Sequence, residues 1–282
     1  MGITADIAEN WHAALAALAW QVELGAVDAV LDAPLNRHAL AEAVKPAERP
    51  VAPAPARMAH PAALPEGAAT VPAPDLAVAA ARRAADAAAT LADLRAALAG
   101  YDHCELKRGA RNLVFADGNP AARLLVLGEA PGREEDIEGR PFVGRAGQLL
   151  DRMFAAIGLS RTSADPARAL YIFNVLPWRP PQNRDPGPEE IAMMRPFVER
   201  HIALTGAEVI VVLGNTPAEA LLHRRGILKL RGHWAEALGR PVLPMTHPAY
   251  LLRNPGAKRE AWADLLAVQA KLRDLAGAGA LA

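Results

Sequence analysis

The segment Leu124-Leu125-Val126-Leu127-Gly128-Glu129-Ala130-Pro131-Gly132-Arg133-Glu134-Glu135-Asp136, continued by Ile137-Glu138-Gly139-Arg140-Pro141-Phe142-Val143-Gly144-Arg145-Ala146-Gly147-Gln148-Leu149-Leu150, decides the fold. The apolar run Leu124–Leu127 reads as a strand buried on both faces. Gly144 and Gly147 lead into a helical pattern carrying Leu149, Leu150, Met153, Phe154 and Ile157. Between strand and helix lie glycines that admit close backbone approach, a cluster of carboxylates, and Phe142 pinned behind Pro141. Open α/β sheets place ligands at the carboxyl ends of their strands, so this segment is the candidate active site.

The same alternation continues outward. Arg123–Gly128, Leu170–Leu176, Glu208–Gly214 and Pro241–Thr246 are strand candidates, with helices expected near 145–157, 187–204, 216–224 and 258–275. Runs such as Val209-Ile210-Val211-Val212-Leu213 imply burial on both faces. The expected fold is therefore α/β, a three-layer α/β/α sandwich around a central four-stranded parallel sheet, with an N-terminal helical extension. Upstream, an alanine-rich helix is expected from Asp75, a plausible N-cap, to about Ala99, with Gly100 as its stop. Residues 46–75 form a Pro/Ala-rich linker containing Pro46, Pro50, Pro53, Pro55, Pro61, Pro65, Pro72 and Pro74. Residues 1–45 read as a helical segment in which Trp11, Leu15, Leu18, Val22 and Leu24 follow an approximate stripe. The catalytic domain is assigned to residues 76–282.

Composition narrows the class. Lys+Arg 31 against Asp+Glu 31 leaves no net charge, which excludes a histone-like polycation but permits a locally basic groove. A single cysteine, Cys104, excludes a disulfide framework within the chain and favours a cytosolic setting. The N-terminus carries Asp6 and Glu9 and lacks a basic stretch before its apolar residues, unlike a secretory signal, and the alanine-rich stretches are broken by charges. These features predict a soluble, cytoplasmic protein without membrane contact.

Three strand-end loops carry the unusual residues: the opening segment, Asn174-Val175-Leu176-Pro177-Trp178-Arg179-Pro180-Pro181-Gln182-Asn183-Arg184-Asp185-Pro186, and Thr246-His247-Pro248-Ala249-Tyr250-Leu251-Leu252-Arg253. Together with Val114-Phe115-Ala116-Asp117-Gly118-Asn119-Pro120-Ala121 and Leu213-Gly214-Asn215-Thr216-Pro217-Ala218, they resemble the family 4 uracil-DNA glycosylases over roughly residues 88–275. The resemblance implies excision of uracil from single- or double-stranded DNA in base-excision repair, by a monomer that flips the base and leaves an abasic site. No cofactor is expected, and no lysine in the three loops offers a Schiff-base nucleophile, so lyase activity is not expected. A non-catalytic nucleic-acid-binding protein on the same fold is the rival reading. A nucleotide-binding α/β protein is disfavoured because the opening loop lacks a phosphate-loop lysine and a dinucleotide glycine pattern.

Within this resemblance, Phe142 supplies a stacking face for the pyrimidine. Asn174 suits the N3–H and O4 of uracil, provided its amide is held against flipping. His247 matches the histidine that contacts uracil O2 and stabilises the leaving anion. Glu129, with Glu135 and Asp136 nearby, lies where the sugar would be. Two readings of Glu129 stay open: positioning water and offsetting positive charge on the sugar, or bracing loops. Ala130 contributes backbone to the base pocket, and Gly128 and Gly132 let amides face the ligand. Arg145, Arg179, Arg184 and Arg253 are solvated charges or a phosphate-tracking groove, and Leu251 and Leu252 are a wedge into the base stack or core. Further basic residues run from His223-Arg224-Arg225 to Lys229-Leu230-Arg231.

The sequence departs from the family at its iron–sulfur site. Of four ligand cysteines only Cys104 is present; Tyr101, Trp178 and Met194 occupy the other aligned positions, and one thiolate cannot hold such a cluster. His103 is a conceivable substitute ligand without partners, so no metal is expected, and packing by Trp178 and Met194 is expected to fill the space. Arg179 to Glu190 contains no histidine of the kind that traps some relatives on DNA, so turnover is expected. Residues 1–45 are a candidate tether for a repair or replication partner.

Overall fold

Leu124, Val126, Leu125 and Leu127 alternate between two separate apolar cores, and this alternation sets the architecture. In the computed structural model, which describes residues 74–279, the strands β1 (Asp117–Gly118), β2 (Leu124–Gly128), β3 (Leu170–Asn174), β4 (Val209–Leu213), β5 (Ala235–Ala237) and β6 (Arg240–Met245) form one sheet of order β1-β3-β2-β4-β6-β5. Its centre, β3-β2-β4-β6, is parallel, as the apolar runs predict.

Helices cover both faces. The first seven are α1 (Pro74–Ala87), α2 (Leu91–Gly100), α3 (Leu106–Gly109), α4 (Arg133–Glu138), α5 (Arg145–Ala155), α6 (Pro188–Ala203) and α7 (Asn215–Leu222). The remainder are α8 (Ile227–Leu230), α9 (Pro248–Arg253) and α10 (Lys258–Gly279). Leu125, Leu127, Tyr171, Phe173, Ile210 and Val212 point into the core shared with α1, α2, α6 and α7. Leu124, Val126, Ile172, Val209 and Val211 point into the opposite core, with Leu150 and Phe154 of α5 and Leu265 and Val268 of α10. Each such fully buried aliphatic side chain contributes roughly 1.5–3 kcal/mol, so the sheet is held from both sides.

The structure departs from the sequence expectation at three places. The sheet is widened by two antiparallel edge strands, β1 against β3 and β5 against β6. A two-residue strand leaves no periodicity to read, and β5 is joined to β6 through Leu238 (φ 52) and Gly239 (φ 69), a turn that Leu238 does not advertise. The helix expected from Asp75 to Ala99 is two helices. Thr90 adopts an extended conformation and accepts from the Asp93 amide in a capping box, starting α2 afresh. Asp75 lies in the first turn of α1. The expectations for residues 1–45 and for the linker up to residue 73 lie outside the described residues.

No helix among the described residues is long and apolar enough to cross a membrane. Chain connectivity positions the site. From β2 the chain passes to β3 on one side and then to β4 on the other, so a crevice opens at the carboxyl ends of β2, β3, β4 and β6.

Candidate active site

A cleft of about 640 Å³ occupies that crevice, lined by residues that follow β2, β3, β4 and β6. Its floor is made by cross-strand partners: Gly128 ends β2 directly beside Asn174, which ends β3. A Cβ at Gly128 would sit 2.2 Å from Asn174 Oδ1 and 2.6 Å from the Phe142 ring. Only glycine lets the amide and the ring converge there.

Phe142 is buried, with a left-handed backbone (φ 55), and its ring stacks on His247 at 5.5 Å and 29°. The loop that carries it is held by Glu135. Its Oε1 accepts from the amides of Val143 and Gly144, each at 2.9 Å, and its Oε2 from Gly132 at 3.1 Å. Glu135 therefore lines the cleft as a loop clamp, and both of its oxygens are engaged by backbone. The expectation that it stands with Glu129 at the sugar is corrected on this ground. Asp136 is corrected further: it accepts from the amides of Arg111 and Asn112 at 2.8 and 3.1 Å and does not line the cleft. Glu134 and Glu138 are exposed.

Asn174 is buried, and its Oδ1 has no hydrogen-bond partner. Among the described residues none bonds its side-chain amide, so none of them supplies the lock against flipping that the sequence argument requires. Thr246 Oγ1, also lining the cleft, is likewise unpartnered. Buried polar atoms without partners are costly, and a polar ligand is the usual resolution.

His247 caps α9, and its Nδ1 accepts from the Ala249 amide at 3.1 Å. The ring proton therefore resides on Nε2. Burial, followed by the charge of Arg253, lowers its pKa from 6.5 to about 4, so the ring is neutral at pH 7. Glu129 Oε2 accepts from Thr216 Oγ1 at 2.7 Å. Burial raises the Glu129 carboxyl above its ordinary value, and the Thr216 bond partly opposes that shift.

Ala130 and Gly132 line the cleft as expected, whereas Gly128 lies beneath it. The four site arginines separate. Arg253 lines the cleft mouth, and Arg184 lines it while forked onto Glu190 at 2.6 and 2.9 Å. Arg179 donates to Asn183 and Arg145 is exposed, both outside the cleft wall. Leu251 is buried at 1 % exposure, which removes it as a wedge; Tyr250 lines the cleft and Leu252 is partly exposed.

Sequence reasoning counted Leu213–Ala218 toward the resemblance and noted the basic run His223–Arg231, but assigned no site residue after β4. Asn215, Thr216, Arg225, Ile227 and the 59 % exposed Leu228 all line the cleft. Asn215 Oδ1 fixes this loop by accepting from the amides of Gly226 and Ile227. The available signal was Gly214 at the strand end, which adopts φ 101.

The residues near Cys104 do not fit an iron–sulfur cluster. The thiol is buried in one apolar cluster with Tyr101, Trp178 and Met194, and burial raises its pKa to about 11. A cluster needs several thiolates, and the space they would occupy is packed with an indole and a thioether.

Residues 115–266 match the family described as Uracil DNA glycosylase superfamily. The chain is 42 % identical over 154 residues to the Type-4 uracil-DNA glycosylase of Thermotoga maritima, covering 54 % of this chain and 77 % of that protein. It is 38 % identical over 170 residues to the Type-4 uracil-DNA glycosylase of Archaeoglobus fulgidus, covering 57 % and 82 %. A third relative, the Type-4 uracil-DNA glycosylase of Sulfurisphaera tokodaii, is 37 % identical over 186 residues, covering 61 % and 79 %.

Proposed function

The chain belongs to the uracil-DNA glycosylase superfamily, and on that premise we propose that it is a monofunctional uracil-DNA glycosylase. It acts on DNA, hydrolysing the N-glycosidic bond of a flipped-out uracil and leaving an abasic site. The observation that carries the assignment of the base is the unpartnered Asn174 Oδ1, set against the Phe142 ring over Gly128. Uracil N3–H satisfies this acceptor, while Asn174 Nδ2 donates to O4. In this orientation of the amide cytosine presents the reverse pattern and leaves two acceptors opposed.

The reaction needs negative charge stabilised on the leaving base. As the C1′–N1 bond breaks, its electron pair goes to uracil N1 and spreads to O2 and O4. The neutral His247 donates Nε2–H toward O2, an interaction that strengthens as the charge develops. Because the Ala249 amide holds Nδ1 as an acceptor, the donor is aligned before the substrate arrives. The sugar gains oxocarbenium character, which the Glu129 carboxylate offsets. Water then adds to C1′ and loses its proton toward Glu129, whose orientation Thr216 sets. Arg253 and Tyr250, which line the cleft, and the partly exposed Leu252 between them in sequence suit contact with the phosphodiester backbone and the opened stack. The Pro/Ala-rich composition of residues 46–75 supports the reading of residues 1–45 as a tether for a repair or replication partner.

The test is incubation of the purified protein with an oligonucleotide carrying a single uracil, followed by alkali. Strand scission at the uracil is expected, with none at a matched cytosine. Absence of scission at stoichiometric enzyme overturns the assignment.

A further inference from the structure

Phe142 stands in a backbone conformation that a bulky side chain avoids, with φ at 55. Such a residue costs on the order of 1–3 kcal/mol and persists only where its surroundings over-determine it. Glu135 holds the following amides, as described above. The preceding and central carbonyls are held by a residue from elsewhere. Arg161, in the turn between α5 and β3, donates from Nη1 to Pro141 O at 2.9 Å and from Nη2 to Phe142 O at 3.1 Å.

Arg161 is itself fixed. Its Nε donates to Asp151 Oδ1 at 2.8 Å, its Nη1 pairs with Asp117 Oδ2 at 3.1 Å, and its side chain is only 9 % exposed. It does not line the cleft. The Phe142 carbonyl is also closed off on its far side, where a Cβ at Gly147 would stand 1.8 Å from the oxygen. The Phe142–Val143 peptide is thus gripped by Glu135 on its N–H and by Arg161 on its C=O, with the Gly144 N–H and the Pro141 C=O held on either side. A planar fork spans two carbonyls and two carboxylates at once, which a single ammonium cannot do.

We infer that Arg161 is a positioning residue for base recognition, holding the Phe142 ring where a flipped pyrimidine stacks. This rests on the stacking role assigned to Phe142 and specifies what sets it. Arg161 stands outside the cleft wall; it acts by fixing the ring's height above Gly128 and its face against His247. A residue that acts only through Phe142 has no effect on turnover once that ring is gone. A residue that merely stabilises the fold keeps its effect.

A double-mutant cycle on uracil excision separates the two. Phe142→Ala, Arg161→Gln and the double variant are compared by kcat/KM on a uracil-containing oligonucleotide, with melting temperatures recorded to confirm folding. Arg161→Gln is expected to lower kcat/KM about tenfold or more in the parent chain, yet by less than about twofold in the Phe142→Ala background. If Arg161→Gln does not fold, Arg161→Lys takes its place in the same cycle. It retains the charge for Asp117 and Asp151 but not the paired carbonyl grip, so the same non-additive loss is expected. An unchanged kcat/KM in the single Arg161 variant, or a full multiplicative loss in the double variant, overturns the inference. Full activity of Phe142→Ala overturns the stacking role itself and is read from that variant alone.

Discussion

Thr216 Oγ1 donates to Glu129 Oε2 at 2.7 Å, joining the first residue of the β2 loop to the first turn of α7 across the floor of the cleft. The bond leaves Glu129 one oxygen with which to meet a water or the sugar. It also opposes the effect of burial on the carboxyl, which stands above its ordinary value.

Thr216→Val should therefore act through pH. Removing a bond to the charged form raises the Glu129 pKa further, and activity that needs the carboxylate is lost as pH falls through that pKa. The acidic limb of the kcat/KM profile is expected to move to higher pH, with the plateau reduced about tenfold or less by looser orientation. An acidic limb that stays in place removes Glu129 from the chemistry.

Asn174→Asp replaces the amide donor by an acceptor and buries a charge beside Phe142. Uracil excision is expected to fall on the order of 10²-fold or more, because the O4 contact is lost and the new carboxylate has no partner. Base preference should shift away from uracil. Unchanged rates on uracil and cytosine oligonucleotides would take Asn174 out of recognition.

Gly128→Ala tests the geometry of the floor. The added Cβ lies within 2.7 Å of both the Asn174 amide and the Phe142 ring, so at least one must move. A displacement of this size in a positioned site is expected to lower kcat/KM by about 10²-fold, while β2 stays buried and the fold is retained. Parent-like kcat/KM in a folded variant would show that the two groups need not meet.

The stability of the chain should respond to acid through His201. Its ring is sandwiched between Phe115 at 4.5 Å and Phe173 at 4.0 Å, and its Nε2 meets Tyr171 Oη at 2.8 Å. Burial lowers its pKa from 6.5 to about 3. The unfolded chain binds a proton below pH 6.5 that the folded chain refuses until about pH 3, so stability is intact above 6.5 and lost as pH falls through that window. One such group costs about 1.4 kcal/mol per pH unit there. His247, lowered to about 4, adds to the same trend. Denaturant midpoints measured from pH 7.5 to 4 check this; a midpoint independent of pH would refute it, and His201→Gln should flatten the slope.

The central strands were legible because a parallel strand covered on both faces must be apolar at every position. Leu124–Leu127 and Val209–Leu213 meet that requirement and occupy β2 and β4. Phe142, Asn174 and His247 were legible as parts of a recurring set, and the fold brings all three to one cleft. The carboxylates were misread for a definite reason. A Glu or Asp in a glycine-rich loop looks the same in sequence whether its oxygens face a substrate or a backbone amide, and Glu135 and Asp136 face amides. Leu251 and Leu252 were indistinguishable for the same kind of reason: adjacent residues on one short helix point to different surroundings, and only packing selects which is buried.

The order of apolar runs, the glycines at their ends and the residue types at the strand termini determined, by themselves, the sandwich, the sheet's parallel centre and the edge where the cleft opens. Tertiary structure decided which groups are free to act. Asn174 Oδ1 lacks a partner because β2 places a glycine beside it. His247 carries its proton on Nε2 because α9 turns the Ala249 amide onto Nδ1. Phe142 faces the cleft because Arg161, nineteen residues later in the chain, grips two carbonyls that every residue type possesses. Backbone groups are common to all sequences, so a bond made to them leaves no signature until the chain is folded.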